Sequence, residues 1–489
     1  MQTSTRSSLL LKRSLAAVWH PCTQMKQHEW LPLVPVVRGA GCWLYDADGR
    51  RYLDAISSWW VNLFGHCHPR INAALVDQLG KLEHVLLAGF SHEPVVELSE
   101  RLSSATGRAL GHCNLRISAA LGDQLGKLEH VLLAGFSHEP VVELSERLAR
   151  ATGGTLGHCF YASDGASAVE IALKMSFHYW RNRGSPAKTR FVSLAGSYHG
   201  ETLGALAVTD VRLFKDVYAP LVMASSQVAS PDWRLAEKGE SAYDYAVRCA
   251  GALERHLERH HAETAAFIVE PLVQGASGMA MYDAEYLRRA RSLCDRYGVH
   301  LIADEIMTGF GRTGTFFAFD QAGITPDFLC LSKGITGGYL PLSVVMTRDA
   351  VYQAFYDDDV TRGFLHSHSY SGNTLACRAA LATLDLFEEE RVIEANRVRR
   401  SCITAAARPI AQHPRARNFR NTGMIWAFEV ETADPSFARH FFAAALEQEL
   451  LLRPLGNTVY FMPPYVIRED EIELFAARTA ALLDALPPD

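Results

Sequence analysis

Two short apolar runs in this sequence each end beside a residue that can do chemistry, and they constrain the fold more than any other feature. Residues 301–314 (LIADEIMTGFGRTG) begin as an apolar strand ending at Asp304 and continue as a glycine-rich turn. Residues 328–332 (FLCLS) read as a second apolar strand, which leads into Lys333. In a sheet of parallel strands, ligands bind outside the carboxyl ends, where both residues fall. The sequence therefore predicts an acid and a lysine at the ligand-binding edge of such a sheet.

The pairing of a lysine with an acid favours one kind of cofactor. A lysine amine can form a Schiff base with an aldehyde, and a buried acid can keep a heterocyclic nitrogen protonated. Pyridoxal 5'-phosphate carries both an aldehyde and such a nitrogen. An ordinary ion pair at the strand ends has the same spacing, so the other segments must decide.

From residue 157 onward the chain alternates between predicted strands and predicted helices. Strands are expected at 159–162, 190–194, 265–270 and 299–304, and helices at 166–180, 284–297 and 374–390. This alternation is typical of an α/β fold in which helices wrap a mostly parallel sheet. The final stretch mixes strands and helices, which indicates a smaller α+β domain.

Composition and charge are typical of a soluble globular enzyme. The 489 residues are 48% hydrophobic and 21% charged, with a formal net charge of −6. No basic patch indicates nucleic acid and no apolar run is long enough for a membrane, so we expect neither partner. The ten cysteines include no Cys-x-x-Cys pair, which favours reduced thiols in a cytoplasmic protein. Residues 1–13 are more typical of a frayed terminus than of a transit peptide.

A perfect repeat lies in the first third of the chain. Residues 77–102 (DQLGKLEHVLLAGFSHEPVVELSERL) recur letter for letter as residues 123–148, an offset of 46 residues. Gly-His-Cys triplets mark the edges of this tandem duplication, which covers about residues 66–157. Neighbouring side chains in such triplets diverge, so we expect no metal site there. Two identical copies are too few for a solenoid, and the repeat is expected to lie inside one domain.

Each copy predicts a helix, a turn at its Gly-Phe-Ser triplet and a second helix. In the first copy these elements are residues 71–85, 89–91 and 93–102. Both copies have apolar faces, yet only one can occupy the native place in the fold. The sequence does not say which copy does so.

A phosphate can be bound where a predicted strand gives way to a helix at residues 163–170 (SDGASAVE). There the backbone N–H groups of Gly165 and Ala166 point toward any anion at the helix N-terminus. A Ser/Asp/Gly cluster before a helix is also an ordinary cap, so this motif alone is weak.

Two further motifs lie at predicted strand ends. Residues 196–202 (GSYHGET) supply Tyr198 and His199, whose rings can stack on a flat heterocycle or simply pack in the core. Residues 270–275 (EPLVQG) supply the carboxylate of Glu270, although an ordinary turn has the same composition.

Together these motifs resemble those of the class III aminotransferases, which are pyridoxal-phosphate enzymes of fold type I. The resemblance covers about residues 19–464, the repeat excepted. It implies that Lys333 forms the Schiff base with the cofactor and moves a proton, while Asp304 pairs with the pyridine nitrogen. It also implies that Tyr198 lies near the ring and the substrate.

The resemblance further implies how the phosphate is held and how the protein assembles. Gly165 and Ala166 would hold the phosphate of the subunit's own cofactor. Ser369, within residues 366–373 (HSHSYSGN), would reach the phosphate of the cofactor in the partner subunit. The active sites would then be shared across a homodimer.

Within the family, four stretches resemble members that transfer the amino group of S-adenosylmethionine to 8-amino-7-oxononanoate in biotin biosynthesis. They are residues 19–25 (WHPCTQM), 57–60 (SSWW), 366–371 (HSHSYS) and 452–464 (LRPLGNTVYFMPP).

Four residues in these stretches are expected to bind substrate, in addition to Tyr198 and Lys333. The faces of Trp59 and Trp60 can cover the methylenes of a long keto acid, and the Arg453 guanidinium can bind its carboxylate. Ser367 is expected near the same substrate. Core packing of the tryptophans and a surface ion pair of Arg453 are the ordinary alternatives.

The resemblance also predicts the domain boundaries. Residues 1–65 would join the small domain, 66–385 would form the large cofactor-binding domain, and 386–489 would form the small domain. Two alternatives to the biotin-pathway activity remain open. One is another class III transaminase acting on an omega-amino acid or a diamine, and the other is an inactive or misfolded cofactor-binding protein disabled by the duplication.

Overall fold

The computed structural model describes residues 6–21, 24–29, 33–41, 43–53, 66–79, 81, 115–448, 450 and 452–486. The strands in these ranges are β1 (Val34–Ala40), β2 (Trp43–Asp46), β3 (Arg51–Leu53), β4 (Phe136–His138), β5 (His158–Ala162), β6 (Arg190–Leu194), β7 (Ser226–Val228), β8 (Thr264–Val269), β9 (Val273–Gln274), β10 (Ala280–Met281), β11 (His300–Asp304), β12 (Phe328–Leu331), β13 (Ser343–Thr347), β14 (Ala416–Thr422), β15 (Ile425–Val430) and β16 (Thr458–Phe461).

The helices in the same ranges are α1 (Arg6–Ala17), α2 (Pro69–Leu79), α3 (Leu115–Leu125), α4 (Glu139–Ala151), α5 (Gly165–Asn182), α6 (Leu203–Val208), α7 (Arg212–Lys215), α8 (Ala242–His260), α9 (Glu285–Tyr297), α10 (Asp349–Tyr352), α11 (Thr374–Glu389), α12 (Val392–Ala406), α13 (Arg408–Ala411), α14 (Phe437–Glu447) and α15 (Glu469–Asp484). None of these helices is long and apolar enough to cross a membrane.

The chain divides into two compact units. Unit 1 comprises Met1–Gly184 and Leu329–Leu386, and unit 2 comprises Ser185–Phe328 and Phe387–Asp489. The predicted domain boundaries remain a prediction.

A four-stranded sheet in unit 1 has the order β3-β2-β1-β4. Strand β4 pairs with β1 in parallel, with Val36 opposite His138. The predicted turn at the Gly-Phe-Ser triplet of the second copy is therefore wrong. The edge of β1 offers hydrogen-bonding groups to these residues, and sheet pairing satisfies them better than a turn exposed to water.

The chain is helical from Arg6 to Ala17, so the expected frayed terminus is wrong for residues 6–13, and residues 1–5 lie outside the described residues. Two ion pairs join α1 to α4, from Arg6 to Glu139 at 3.0 Å and from Arg13 to Glu146 at 2.6 Å. Ser14 is fully buried, and its Oγ lies 2.7 Å from Oγ of Ser137. These contacts are tertiary, which is why the local composition did not predict them.

The second copy of the duplication is built into unit 1. It supplies the C-terminal end of α3, all of β4 and most of α4, and it buries Leu128, Val131 and Leu144. Helix α3 ends at Leu125, earlier than predicted, because Gly126 follows and favours a helix end.

The first copy is described only at its start. Helix α2 ends at Leu79, short of the predicted residue 85. Its Ile71, Leu75 and Val76 are 45%, 41% and 49% exposed. Residues 82–102 of this copy lie outside the described residues.

Unit 2 contains four parallel strands in the order β11-β8-β6-β7. Ile302 lies opposite Ile268, and Leu194 lies opposite Val228. Helices α8 and α9 cover these strands with Leu253, Leu257 and Leu287, all of which are buried. The predicted alternation of strands and helices is confirmed in this unit.

A second, antiparallel sheet of unit 2 has the order β14-β15-β16. Its core contains Phe428 on the sheet, Phe441 on α14 and Phe475 on α15. This is the mixed α+β stretch expected near the end of the chain.

Candidate active site

Unit 2 places the predicted acid at the carboxyl end of a buried parallel strand. Asp304 is the last residue of β11, and its side chain is only 4% exposed. Its Oδ2 lies 2.7 Å from Nδ1 of His199, and its Oδ1 accepts a hydrogen bond from the backbone N–H of Ile306 at 3.1 Å. Nε2 of His199 is buried without a hydrogen-bond partner in the described part of the chain. The arrangement fixes the carboxylate in one orientation, as pairing with a ring nitrogen requires.

Glu270 joins the backbone of Tyr198 to the turn that follows β8. The Glu270 carboxylate accepts the backbone N–H of Tyr198 at 3.0 Å with one oxygen and that of Gly275 at 2.9 Å with the other. Burial raises the pKa of Glu270 to about 7. Glu270 thus ties the residue 196–202 loop to the turn after β8, which is a structural task that the sequence motif alone did not reveal.

A second buried carboxylate follows Asp304 directly. Glu305 is fully buried and accepts backbone N–H groups from Ala318 at 2.7 Å and Phe319 at 2.8 Å. Burial raises its pKa to about 8. The sequence motif contains Glu305 next to Asp304, but the prediction assigned no role to it. Its hydrogen-bond partners lie thirteen and fourteen residues away, so its role in holding the 318–319 backbone depends on tertiary structure.

Tyr198 also lines a cavity of about 440 Å³ in unit 2. Its ring meets the ring of Phe214 edge-on at 5.4 Å, and its hydroxyl donates to Glu201 at 2.8 Å. Burial, with help from Glu201, raises the pKa of Tyr198. Other parts of the lining are Val211, Leu213, the turn at 276–278 and the turn that contains Leu455 and Thr458. The cavity is mainly apolar, which suits an aliphatic chain.

Arg453 belongs to the same unit and is exposed, two residues before the cavity residue Leu455. A guanidinium at this position can reach solvent and a ligand that enters from solvent.

Unit 1 carries the predicted lysine on a strained piece of backbone. Lys333 follows β12 by two residues and has a φ of +46°, a value that residues other than glycine rarely adopt. The neighbouring Ser332 is buried and donates from Oγ to the carbonyl of Leu342 at 2.9 Å. The Lys333 side chain is exposed, and no hydrogen bond or ion pair of its amine occurs among the residues that the structure describes. An unpaired amine on a held backbone is available for covalent chemistry.

The predicted phosphate loop opens helix α5 in unit 1. Asp164 is the N-cap residue, and its carboxylate accepts the backbone N–H of Ser167 at 2.9 Å. Gly165 and Ala166 are the first two helical residues, so their N–H groups have no acceptor within the helix. The ordinary cap is thus present, and phosphate binding by Gly165 and Ala166 remains a prediction.

The loop that carries Ser367 and Ser369 is held by the second copy of the duplication. Nε2 of the buried His138 donates to the carbonyl of Gly372 at 2.8 Å, and Nε2 of His130 lies 2.9 Å from the carbonyl of Ser369. Ser369 is exposed and Ser367 is half-buried. The repeat therefore supports this loop directly, which the sequence did not indicate.

The structure brings Tyr198, His199 and Asp304 together in unit 2, and it places Lys333, Gly165 and Ser369 in unit 1. Trp59 and Trp60, two of the predicted substrate residues, lie outside the described residues. Within the described ranges, no group of three or more His, Cys, Asp or Glu side chains is arranged to hold a metal ion. The seven cysteines that the structure describes form no disulfide with one another.

The family model for class III aminotransferases matches residues 24–109 and 102–483 of this chain. The chain belongs to the class III aminotransferase family. The match is split within the duplicated region, as a repeated segment requires.

Several relatives share one name. The adenosylmethionine-8-amino-7-oxononanoate aminotransferase of Helicobacter pylori is 42% identical over 480 residues, which is 96% of this chain and 97% of the relative. The enzyme of that name from Geobacter sulfurreducens is 35% identical over 93% of each chain.

Solved structures are also similar. The structure of adenosylmethionine-8-amino-7-oxononanoate aminotransferase from Methanocaldococcus jannaschii matches with a TM-score of 0.71 and 31% identity, covering 97% of this chain and 98% of the other. An amine transaminase from an uncultivated Pseudomonas species, in a PLP-bound form, matches with a TM-score of 0.72 and 28% identity over 94% and 96%. The predicted family, the fold type I α/β architecture and the aminotransferase activity are confirmed.

The cofactor of the family is pyridoxal phosphate, and the described residues fit it. In unit 1, the first turn of α5 offers backbone donors that have no acceptor within the helix, and the Lys333 amine makes no hydrogen bond or ion pair among the residues described. In unit 2, Asp304 is a buried carboxylate held by His199. The three features match the phosphate, the aldehyde and the ring nitrogen of the cofactor in turn.

Proposed function

We propose that this protein transfers the amino group of S-adenosylmethionine to 8-amino-7-oxononanoate, giving 7,8-diaminononanoate for biotin biosynthesis. One observation carries this proposal. Relatives that are 42% and 35% identical, and that align with nearly the whole chain, share the name of this aminotransferase. The class III family and its cofactor narrow the chemistry to amino transfer.

Pyridoxal phosphate, when bound, supplies an electron sink that allows an amino group to be taken from one substrate and given to the next. The Lys333 amine can take and return the substrate proton, because it makes no hydrogen bond or ion pair within the described residues and its backbone is held at a strained φ. Asp304 would keep a positive charge at the ring nitrogen of the bound cofactor, and His199 holds the carboxylate in place. Gly165 and Ala166 would bind the phosphate through backbone N–H groups at the start of α5.

Substrate binding is assigned to the cavity of unit 2. Its apolar lining of Val211, Leu213 and Phe214 can cover the methylenes of a long keto acid, and the Tyr198 hydroxyl supplies a polar contact. Arg453 is assigned to the carboxylate of that substrate. Ser367, Trp59 and Trp60 are kept as further substrate contacts from the resemblance to the family.

A cytoplasmic homodimer with shared active sites completes the proposal. Ser369 lies on an exposed loop of unit 1, together with Leu365 and Tyr370, each 51% exposed. In unit 2 an apolar segment is also exposed, with Val217 at 81% and Leu221 at 66%. Large exposed apolar side chains close together mark surfaces that a second protein covers.

A second candidate is a class III transaminase with an amine or omega-amino acid as its donor. The similarity to an amine transaminase, with a TM-score of 0.72, supports it. The higher identity of the relatives that share the other name favours the first candidate.

An absorbance spectrum between roughly 300 and 500 nm, recorded before and after donor addition, separates the candidates because the cofactor absorbs there. We expect S-adenosylmethionine to convert the visible cofactor band into a near-ultraviolet band, and 8-amino-7-oxononanoate to restore it. A band that responds only to other amines would favour the second candidate. Soluble protein with no cofactor band would contradict both and indicate that the duplication has disabled the site.

A further inference from the structure

A buried group of two arginines and two acids lies behind the cavity of unit 2. Arg234 contacts Asp232 at 2.7 Å and Glu429 at 2.8 Å, and Arg420 contacts Glu429 at 2.7 Å. The four side chains are between 2% and 16% exposed. We call these four residues the ionic cluster. Its charges balance, and its central member is Glu429, because both arginines bind the same Oε1 atom of that residue.

The two arginines of the ionic cluster hold one side of the cavity through backbone carbonyls. Arg234 donates to the carbonyl of Ser277 at 2.8 Å. Arg420 donates to the carbonyls of Gly278 at 2.5 Å and Met279 at 3.0 Å. Gly278 and Met279 have φ values of +69° and +52°, so this turn is strained and needs outside support.

Glu429 also contacts the opposite side of the cavity. The hydroxyl of Thr458 donates to its Oε1 at 3.3 Å. A methyl group added at Gly278 would meet Oγ1 of Thr458 at 2.6 Å, so the two turns are in close contact. The same carboxylate therefore sets the distance between the turn at 276–278 and the turn that leads from Arg453 to Thr458.

The ionic cluster reaches Tyr198 as well. Ser277, whose carbonyl binds Arg234, donates from its own Oγ to the carbonyl of Gly196 at 2.5 Å. Gly196 begins the loop that carries Tyr198. Both walls of the cavity and its tyrosine thus depend on groups that the ionic cluster fixes.

The charge state of Glu429 is compatible with this task. Burial by itself would raise its pKa, but the hydrogen bond and the charge of Arg420 outweigh burial, and the pKa is lowered. The carboxylate is therefore ionised at neutral pH and can bind both guanidinium groups.

We propose that Glu429 is a positioning residue that sets the width of the substrate cavity and so determines affinity for the keto acid. The proposal rests on the proposed function for the identity of that substrate. It assigns no chemical step to Glu429, which touches neither substrate nor cofactor. Its effect should accordingly appear in KM more than in kcat.

The first test compares Glu429→Gln with Glu431→Gln in steady-state kinetics of the holoenzyme. Glu431 also pairs with an arginine of β14, Arg417, but this pair is about half exposed. We expect Glu429→Gln to raise KM for 8-amino-7-oxononanoate about tenfold with kcat changed less than about twofold, and to raise KM for S-adenosylmethionine less. Glu431→Gln should leave all three constants unchanged. Equal increases in the two KM values, or a fall in kcat alone, would overturn the proposal.

A second variant moves the two turns apart without removing a charge, in case Glu429→Gln folds poorly; the added methyl group also lies 3.4 Å from a guanidinium nitrogen of Arg234. Gly278→Ala places a methyl group against Thr458. Gly298→Ala is its control, because Gly298 has a similar φ of +60° but open space around the added methyl group. We expect only Gly278→Ala to raise KM for the keto acid.

Hydrogen exchange separates failure of this inference from failure of the proposed function. In Glu429→Gln, the backbone amides of 276–279 and 455–458 should exchange faster than in wild type, and those of α9 should not. Unchanged exchange at both turns would overturn the positioning role. Wild-type protein that uses neither substrate would instead overturn the proposed function, and with it the choice of keto acid as the ligand.

Discussion

His138 tests whether the second copy of the duplication occupies the native place in the fold. His138 is fully buried, is the N-cap of α4 and accepts the backbone N–H of Val141 at 3.2 Å. Its other ring nitrogen donates to the buried carbonyl of Gly372 at 2.8 Å. His92 is the identical residue of the first copy, so the chain contains its own control.

The expected cost of His138→Ala follows from the two lost hydrogen bonds. Loss of an N-cap costs about 0.5–2 kcal/mol. A buried carbonyl left without a partner costs about 1–3 kcal/mol. Since the ring leaves a cavity too, we expect a loss of about 2–4 kcal/mol in the free energy of unfolding. For a unit of this size that corresponds to a fall in Tm of about 5–10 °C.

Thermal unfolding followed by circular dichroism measures the effect. The assignment of the native place to the second copy predicts that His92→Ala costs less than about 0.5 kcal/mol. Equal shifts for the two variants, or a larger shift for His92→Ala, would refute the assignment of the second copy. A large loss only in the double variant would mean that either copy can take the place of the other.

Three further predictions concern the site and its acid sensitivity. Lys333→Ala should abolish turnover while leaving the fold intact, whereas Lys238→Ala, at an exposed position, should not change turnover; multiple turnovers by Lys333→Ala would contradict the assignment. Arg453→Ala should raise KM for the keto acid more than KM for the amine donor, and equal effects in steady-state kinetics would count against its role. Burial lowers the pKa of His20 to about 4 and that of His138 to about 3. The unfolded chain therefore binds protons first as the pH falls below about 6.5, and unfolding titrations should show stability decreasing from there toward pH 4. His138→Ala should show a weaker decrease, and an unchanged slope would contradict the prediction.

Much of the parallel-sheet region and several site positions could be predicted from the sequence. Strands β6, β8, β11 and β12 were predicted within two residues at each end, because a fully buried strand is a continuous apolar run. Asp304, Lys333 and the 163–170 loop were located by their position after such runs. A residue that directly follows a buried parallel strand can be placed at the ligand-binding edge from the local sequence alone, because parallel strands place their carboxyl ends at one edge of the sheet.

The sequence was misleading where the stabilising contacts are distant. Helix α1 is held by ion pairs to α4 across more than a hundred residues, and β4 forms only because the edge of β1 is available. A prediction from a short stretch of sequence cannot include α4 when it assesses α1, or β1 when it assesses β4.

The sequence by itself determined the family, the cofactor and the residues placed at the strand ends. Only the tertiary structure showed that the second of two identical segments is packed into unit 1, and that Glu429 joins both sides of a cavity. Identical sequences have identical local preferences, so the choice between the copies depends on the contacts that each can make with the rest of the chain. The same holds for Glu429, because its arginine partners lie nine and 195 residues away.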